Sequence, residues 1–301
     1  VGDTLDLDVV ENWGVNGFNA VIGNPPYNNE LWSKFVYCSI NNLDNDGYLL
    51  YVHPCNWRKP EHKVGKIMKS YDFEYLKIYN IKDTSKLFNC NVRVDWYLLK
   101  KTKTDILTEI VDDMNNTYKV NIKELEFIPN NIINIVNKIT SKSVVKLNII
   151  RSHKIISNNT NLKDVKNDVY KYGVLTNLNS KEKRIKYIDV PHEIYDKSKV
   201  LMSYSLNLYP FYDEELSPTE HVFYQLVKNK NDGIKLINYL NSNLFKSILQ
   251  SSKWIGYQTD HKLFNYLPDI IGDMDVVNDE TIYKYFNLTE EEITLIEKSI
   301  C

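Results

Sequence analysis

The sequence predicts an α/β unit followed by a mixed α+β region, and three observations carry that reading. Within the first hundred residues, short apolar runs alternate with segments of helical spacing, the pattern of strands joined by crossover helices. Residues 102–161 then turn polar and rich in Asn and Lys. Beyond them, short apolar pieces alternate with charged turns before helical patterns return. The chain has 301 residues, 43% hydrophobic and 25% charged, which suits two globular domains and excludes bulk disorder.

Taken in order, Phe18–Gly23 is an apolar run stopped by Gly and then Pro-Pro, predicting a buried strand that ends abruptly. Leu31, Phe35, Cys38 and Leu43 recur at near-helical spacing and predict a helix over 28–43. Asp46-Gly47 turns the chain into a second strand, Tyr48–Val52. A helix is expected over 61–71, then strands near 75–79 and 92–99 that can pair as a hairpin. Residues 1–110 form the first domain, 111–160 a connector with a helix over 132–139, and 161–301 the second domain, with a β-rich module over 170–204. Ser217-Pro218-Thr219-Glu220 reads as a helix-starting capping box, and Thr289-Glu290-Glu291-Glu292 as another before an acidic terminal helix.

Cys38, Cys55, Cys90 and Cys301 are too few and scattered for a disulfide framework, and none has metal-ligand spacing, so no metal is expected. No apolar run approaches the roughly 20 residues that span a bilayer. No membrane partner is expected, and a soluble protein of the cytoplasm is. Net charge is −2, but the sum conceals a pattern. Residues 1–30 hold five acidic and no basic residues, 131–203 hold 14 basic against 6 acidic, and 269–301 hold 9 acidic against 2 basic. A surface for a polyanion therefore belongs in the middle.

Asn24-Pro25-Pro26-Tyr27 follows directly on the first predicted strand, where α/β sheets collect their ligands. In this setting the sequence resembles the N6-adenine DNA methyltransferases of restriction–modification systems, in the γ-type order of motifs. Gly2-Asp3-Thr4-Leu5 looks like the motif that approaches the adenine of S-adenosylmethionine, and Phe18–Tyr27 is similar to the catalytic motif. Residues 47–57 look like the next family strand with its Pro and Trp, and Leu87-Phe88-Asn89 with Val92–Leu99 like the last motif and strand. The resemblance implies a partial Rossmann-like S-adenosylmethionine-dependent methyltransferase sheet followed by a mixed α+β target-recognition domain.

The chemistry explains these residue types. An exocyclic adenine amine is a weak nucleophile because its lone pair is delocalised into the ring, whereas a sulfonium methyl is a strong electrophile. Positioned acceptors serve such a reaction better than a strong base. The resemblance implies that the Asn24 side chain and the Pro25 carbonyl accept the amine hydrogens, that Pro26 stiffens the loop, and that Tyr27 stacks on the extruded adenine. It implies that Phe88 is a second contact to the base, against an equal expectation of an ordinary core Phe. Asp3, Thr4 and Asn24 would face the cofactor.

Glutamine-amide and some RNA base methyltransferases carry the same tetrapeptide, so the long C-terminal region discriminates. Residues 172–179, the 181–186 cluster, and 254–259 through Leu267-Pro268 resemble recognition-domain segments. Lys181, Lys183, Arg184 and Lys186 are the leading phosphate contacts to double-stranded DNA. Lys253 and Trp254 are further candidates, with Trp254 read as core.

The ten glycines never fall as Gly-x-Gly, so the family's cofactor-cradling turn is missing and one edge of the sheet should be unpaired. A preceding segment, or a partner chain, is expected to complete the cofactor site, and the start at Val1 rather than Met fits a processed product or a piece. Two other readings stand beside this one. The chain can be a DNA-binding module that does not catalyse, or a methyltransferase acting on RNA or on protein amides.

Overall fold

The apolar run that ends at Gly23 does form a strand, but at a sheet edge. The structure, a computed structural model, describes residues 3–6, 8–142, 145–254, 256 and 259–300. The chain divides into two compact units, Val1–Asn137 with Trp254–Gly256, and Lys138–Lys253 with Tyr257–Cys301. Strands β1 (Phe18–Gly23), β2 (Leu43–Pro54), β3 (Asp72–Ile78), β4 (Val94–Lys100), β5 (Thr108–Val111) and β6 (Thr117–Val120) make one six-stranded sheet in the first unit. Their spatial order is β1-β2-β4-β3-β5-β6. Helix α1 (Val9–Trp13) precedes β1, and helices α2 (Leu31–Asn42), α3 (Lys63–Lys69) and α4 (Ile81–Phe88) fall between the first four strands. The fold class is α/β with a mixed sheet, joined to a mixed α+β unit.

β2 runs parallel to β1 across α2, while β4 inserts antiparallel between β2 and β3. The two closing strands therefore pair as expected, but with α4 between them in place of a hairpin turn. Side chains that alternate along β2 and β4, including Leu49, Tyr51, Tyr97 and Leu99, meet Val36 and Ile40 of α2 and Phe73 and Leu76 of β3 in one core. β1 is not the buried strand its composition suggests. No described strand covers its outer side, and Ile22 is 74% exposed.

The first unit reaches Asn137, beyond the boundary expected at 110. β5 pairs with β3 and β6 with β5, and Ile122, Leu125, Ile128 and Ile133 join the core. The boundary falls inside α5 (Ile133–Thr140). Trp254 is buried with the first unit, its indole donating to the Ile128 carbonyl at 2.9 Å.

The second unit contains β7 (Ile150–Arg151), β8 (Tyr172–Leu178), β9 (Lys183–Ile188), β10 (Lys199–Ser203), β11 (Phe211–Asp213), β12 (Ser217–Pro218) and β13 (Val222–Leu226). They form sheets of order β11-β10-β13-β7 and β12-β8-β9. Helices α6 (Lys230–Asn241), α7 (Asn243–Ser251), α8 (Asp279–Tyr285) and α9 (Glu290–Ile300) follow. The capping box at Thr289 is real: Thr289 accepts from the Glu292 N–H at 3.2 Å, and Glu292 accepts from the Thr289 N–H at 2.9 Å. The one expected at Ser217 is not. Ser217 and Pro218 pair with Val174 and Leu175, Thr219 donates to the Leu175 carbonyl at 3.0 Å, and Glu220 accepts from Ser157. Tertiary partners consume the groups that would have capped a helix.

A Cβ added to Gly65 in α3 would lie 2.0 Å from the Trp57 carbonyl oxygen, so Gly65→Ala should cost about 1–3 kcal/mol of stability in urea titrations. Burial alone would raise the Asp72 carboxyl, but bonds from Thr102, Lys123 and Thr104 hold it well below the usual carboxylate range. A carboxyl depressed in the folded state stabilises above its unfolded value of about 3.9 and loses that contribution as pH falls further. Asp72→Asn should lower the melting temperature at pH 7 and reduce the fall in stability below about pH 4.

Candidate active site

Strand direction decides what meets at the site. β1, β2, β3 and β5 run one way and β4 and β6 the other. The ends of β1 and β2 and the start of β4 therefore share one end of the sheet, which gathers the Asn24–Tyr27 loop, the turn Cys55–Arg58 and the loop 89–93. Pro25 is buried, Asn24 and Pro26 are exposed and Tyr27 is half-buried. A buried Pro anchors the loop without enclosing an unpaired N–H. The Tyr27 hydroxyl is enclosed, with no hydrogen-bond partner of good geometry among the described residues. Burial pushes this phenol up to about 12, Cys90 adds to the rise, and the neighbouring Asn24 side chain opposes it. Tyr27 is thus a neutral ring at ordinary pH. Cys90 lies two residues beyond Phe88, so the segment after α4 borders Tyr27. Phe88 itself is 37% exposed and meets Tyr79 edge-on at 6.2 Å, which leaves part of its ring open.

The chain leaves the tetrapeptide through a tight turn, Asn28–Glu30. Asn29 and Glu30 are both left-handed, at φ 50° and 57°, each costing on the order of 1 kcal/mol without the freedom of glycine. The Glu30 carboxylate accepts from Asn56 Nδ2 at 2.9 Å. A bond to a charged group contributes about 1.5–3 kcal/mol, so this one contact is the size of the strain it opposes. Next in sequence, buried Trp32 stacks on His53 at 4.4 Å and on His62 at 5.7 Å. His53 Nδ1 lies 3.0 Å from the Pro54 carbonyl and Nε2 3.1 Å from the Tyr97 hydroxyl. A carbonyl only accepts, so Nδ1 carries the hydrogen and Nε2 accepts from Tyr97. Burial pushes the His53 pKa down to about 3, and this neutral ring is packing rather than a base.

Thr4 and Asn24–Pro26 line one cavity of about 320 Å³, with apolar walls that include Phe18, Val21 and Phe35. The Thr4 carbonyl accepts from the Cys38 thiol at 3.3 Å. Asp3 faces a separate cavity of about 510 Å³ with Lys34 and Tyr37, and its carboxylate accepts from the Leu5 N–H at 3.0 Å. Gly2, from the same expected motif, lies outside the described residues. Among the described residues, the cavity beside Asn24 is lined by no carboxylate suited to a ribose. The residues present, an exposed amide and apolar walls, fit only part of an S-adenosylmethionine site.

In the second unit, Lys181, Lys183 and Arg184 are exposed and Lys186 is half-buried. All four sit on the ribbon of β8 and β9, whose tip is fixed by Asn179 Oδ1 accepting from the N–H groups of Lys181 and Glu182 at 2.8 and 3.1 Å. Strand alternation puts Lys183 on one face of β9 and Arg184 and Lys186 together on the other, so the cluster is divided rather than gathered. The Lys183 ammonium stands 3.4 Å from the centre of the Phe211 ring. Arg184 pairs with Glu182 at 3.0 Å and Lys186 with Asp164 at 3.3 Å. Exposed pairs of this kind are worth about 0–1 kcal/mol and are easily exchanged for a phosphate. Ile255, Tyr257 and Gln258 lie outside the described residues.

Two contacts have no signal in the residue order: Glu30 with Asn56, and a buried Ser152–His192 pair at 2.8 Å. The Ile194 N–H donates to His192 Nδ1 at 3.3 Å, so Nε2 carries the ring hydrogen and donates to Ser152. This histidine cannot take the serine's proton. Among the described residues no group of three or more His, Cys, Asp or Glu is placed to hold a metal, and no helix is long and apolar enough to cross a membrane.

No protein-family model matches the chain. No curated protein matches it either. Among solved structures, a Listeria monocytogenes protein described as a putative class I S-adenosylmethionine-dependent methyltransferase is similar over 32% of this chain and 36% of its own, at 18% identity and a TM-score of 0.26. The type IIL restriction–modification enzyme MmeI, in complex with DNA, is similar over 98% of this chain and 50% of its own, at 7% identity and 0.48. The type IIG restriction endonuclease BpuSI is similar over 89% and 48%, at 9% and 0.33. The chain spans half or less of each.

The Cys55–Arg58 turn is held by the Arg58 guanidinium, which donates to Asp95, to the Ile128 and Pro129 carbonyls and to Asn130 at 2.8–3.0 Å. Arg58→Met strands the buried Asp95 charge and should cost about 3–5 kcal/mol. The double variant Arg58→Met/Asp95→Leu should recover part of that stability in equilibrium unfolding.

Proposed function

We propose that this chain is part of a site-specific DNA adenine-N6 methyltransferase of the γ-type, acting on an adenine swung out of the duplex. One observation carries the reading. Asn24-Pro25-Pro26-Tyr27 stands at the carboxyl end of a sheet strand, with an exposed amide acceptor beside a neutral, half-buried ring. Bound S-adenosylmethionine would supply a methyl group on cationic sulfur, which would keep the electrons of the broken C–S bond, and the proton displaced from the amine would pass to water at the exposed Asn24. The Asn24 side-chain oxygen and the Pro25 carbonyl hold the amine's two hydrogens and turn its lone pair out of the ring plane. Tyr27 stacks on the base, and Phe88 offers a second aromatic surface from the end of α4, beside the segment that borders Tyr27.

Asp3, Thr4 and Asn24 touch only one side of the donor in this reading, so another segment or chain completes its site. The outer side of β1, which no described strand covers, is where a further parallel strand would add. Lys181, Lys183, Arg184 and Lys186 contact phosphates of double-stranded DNA, and the setting is cytoplasmic. A specific observation keeps a second reading in view. The same open edge suits a module that binds DNA without transferring a methyl group.

The test uses the full-length gene product, labelled S-adenosylmethionine and unmethylated genomic DNA. Asn24→Ala should lower methyl transfer by about 100-fold or more and leave DNA binding within about twofold, as expected of a group that meets no phosphate. DNA binding with no transfer by the unaltered protein would favour the second reading, and transfer to RNA or to a glutamine amide in place of DNA would overturn both. Replacing Lys181 and Lys183 by Ala should reduce the slope of log affinity against log salt by about 1 for each phosphate that the protein no longer neutralises.

A further inference from the structure

The geometry points to Asn56 and Glu30 as a positioning pair that fixes the direction of the Asn24–Tyr27 loop, an assignment that rests on the function proposed above. Two consecutive left-handed residues, Asn29 and Glu30, follow closely on the tetrapeptide. The chain adopts such a turn only where its surroundings hold it. Two holds are present. Asn56 Nδ2 donates to Glu30 Oε1 at 2.9 Å, and Trp32 is stacked on His53 and His62. The first hold reaches the turn itself, and the second reaches the helix behind it.

Asn56 suits the task because its surroundings enclose it. It is 4% exposed and belongs to the turn Cys55–Arg58, which the Arg58 bonds tie to β4 and to residues 128–130. A carboxylate only accepts, so the amide nitrogen must face Glu30 and the amide oxygen must face away. That oxygen is buried with no hydrogen-bond partner among the described residues. The interior bears the cost of an unsatisfied acceptor in order to aim one N–H at the turn. A rigid donor on the end of β2 thereby sets where the exit from β1 goes. Neither residue acts by touching the base or the methyl donor. Their effect passes through the loop.

A positioning role and a merely structural one differ in what they change. Glu30 is exposed, so Glu30→Ala leaves the core packed. With saturating DNA, single-turnover methyl transfer should fall about 10- to 100-fold in Glu30→Ala and in Asn56→Ala, the penalty of a small misplacement. DNA affinity should stay within about twofold, since neither side chain meets a phosphate. Glu30→Gln keeps the Oε1 acceptor and should restore most of the rate. Asn56→Asp, which sets two carboxylates against each other, should not. The double alanine variant should be no more than about twofold slower than either single one, because both remove the same interaction. Transfer within about threefold of the unaltered protein in folded Glu30→Ala, or independent effects in the double variant, would overturn the assignment. Absence of transfer by the unaltered protein would defeat the proposed function alone. The pair is then decided by amide hydrogen exchange, which should quicken about tenfold or more at residues 29–32 in Glu30→Ala and remain unchanged elsewhere. Unchanged exchange at 29–32 overturns the pair whatever the activity.

Discussion

One fully enclosed guanidinium organises the first unit. Arg58 and Asp95 are both at zero side-chain exposure, and moving such charges out of water is costly unless every donor finds a partner. Here Nε meets Asp95, Nη1 meets two carbonyls, Nη2 meets Asn130, and the Trp57 indole adds a second donor to the same Asp95 oxygen. Burial would draw the Arg58 pKa down, but the adjoining Asp95 carboxylate raises it, and the guanidinium stays charged. The network joins the exit of β2, the beginning of β4 and the segment 128–130. A pair that adds little net energy can still specify one arrangement. This one ties down the turn that carries Asn56, and through it the loop that follows β1.

The groups around the tetrapeptide suit a reaction that needs acceptors and alignment more than proton transfer. Tyr27 is held neutral, His53 is held neutral, and among the described residues no carboxylate lines the cavity next to Asn24. Rigidity is concentrated behind the loop, in the Trp32 stack and the Arg58 network, while the loop's polar face remains open. That division leaves the exposed Asn24 able to meet a substrate on a backbone that is already fixed.

Much of this is readable from residue order, for local reasons. Phe18–Gly23 is apolar and ends in residues that stop a strand, and the next four residues are chemically distinctive, so both the strand and the loop are legible. β5 and β6 are not. Thr108–Val111 and Thr117–Val120 are short and set in a polar stretch, and they become strands only because β3 offers an edge. Ser217-Pro218-Thr219-Glu220 carries a helix signal that pairing with β8 overrides. Arg58 cannot be read as an organiser because its partners are spread from Asp95 to Asn130, and Asn56 matters through a bond to Glu30 that no local pattern encodes. The basic cluster is visible as charge, but its division over two faces of a ribbon emerges only once β8 and β9 are paired.

The insertion of β4 between β2 and β3 also bears on the order of assembly. Tyr48 pairs with Lys100 and Pro54 with Val94, so the middle of the sheet is made from strands far apart in the chain. Closing such long loops precedes the reward of pairing, and rates of folding fall as contacts become less local. α2 and the β5–β6 hairpin are local and can form early. The end of the sheet where residues 24–27, 55–58 and 89–93 converge is complete only once β4 has docked between β2 and β3, so the site depends on the least local pairing of the first unit.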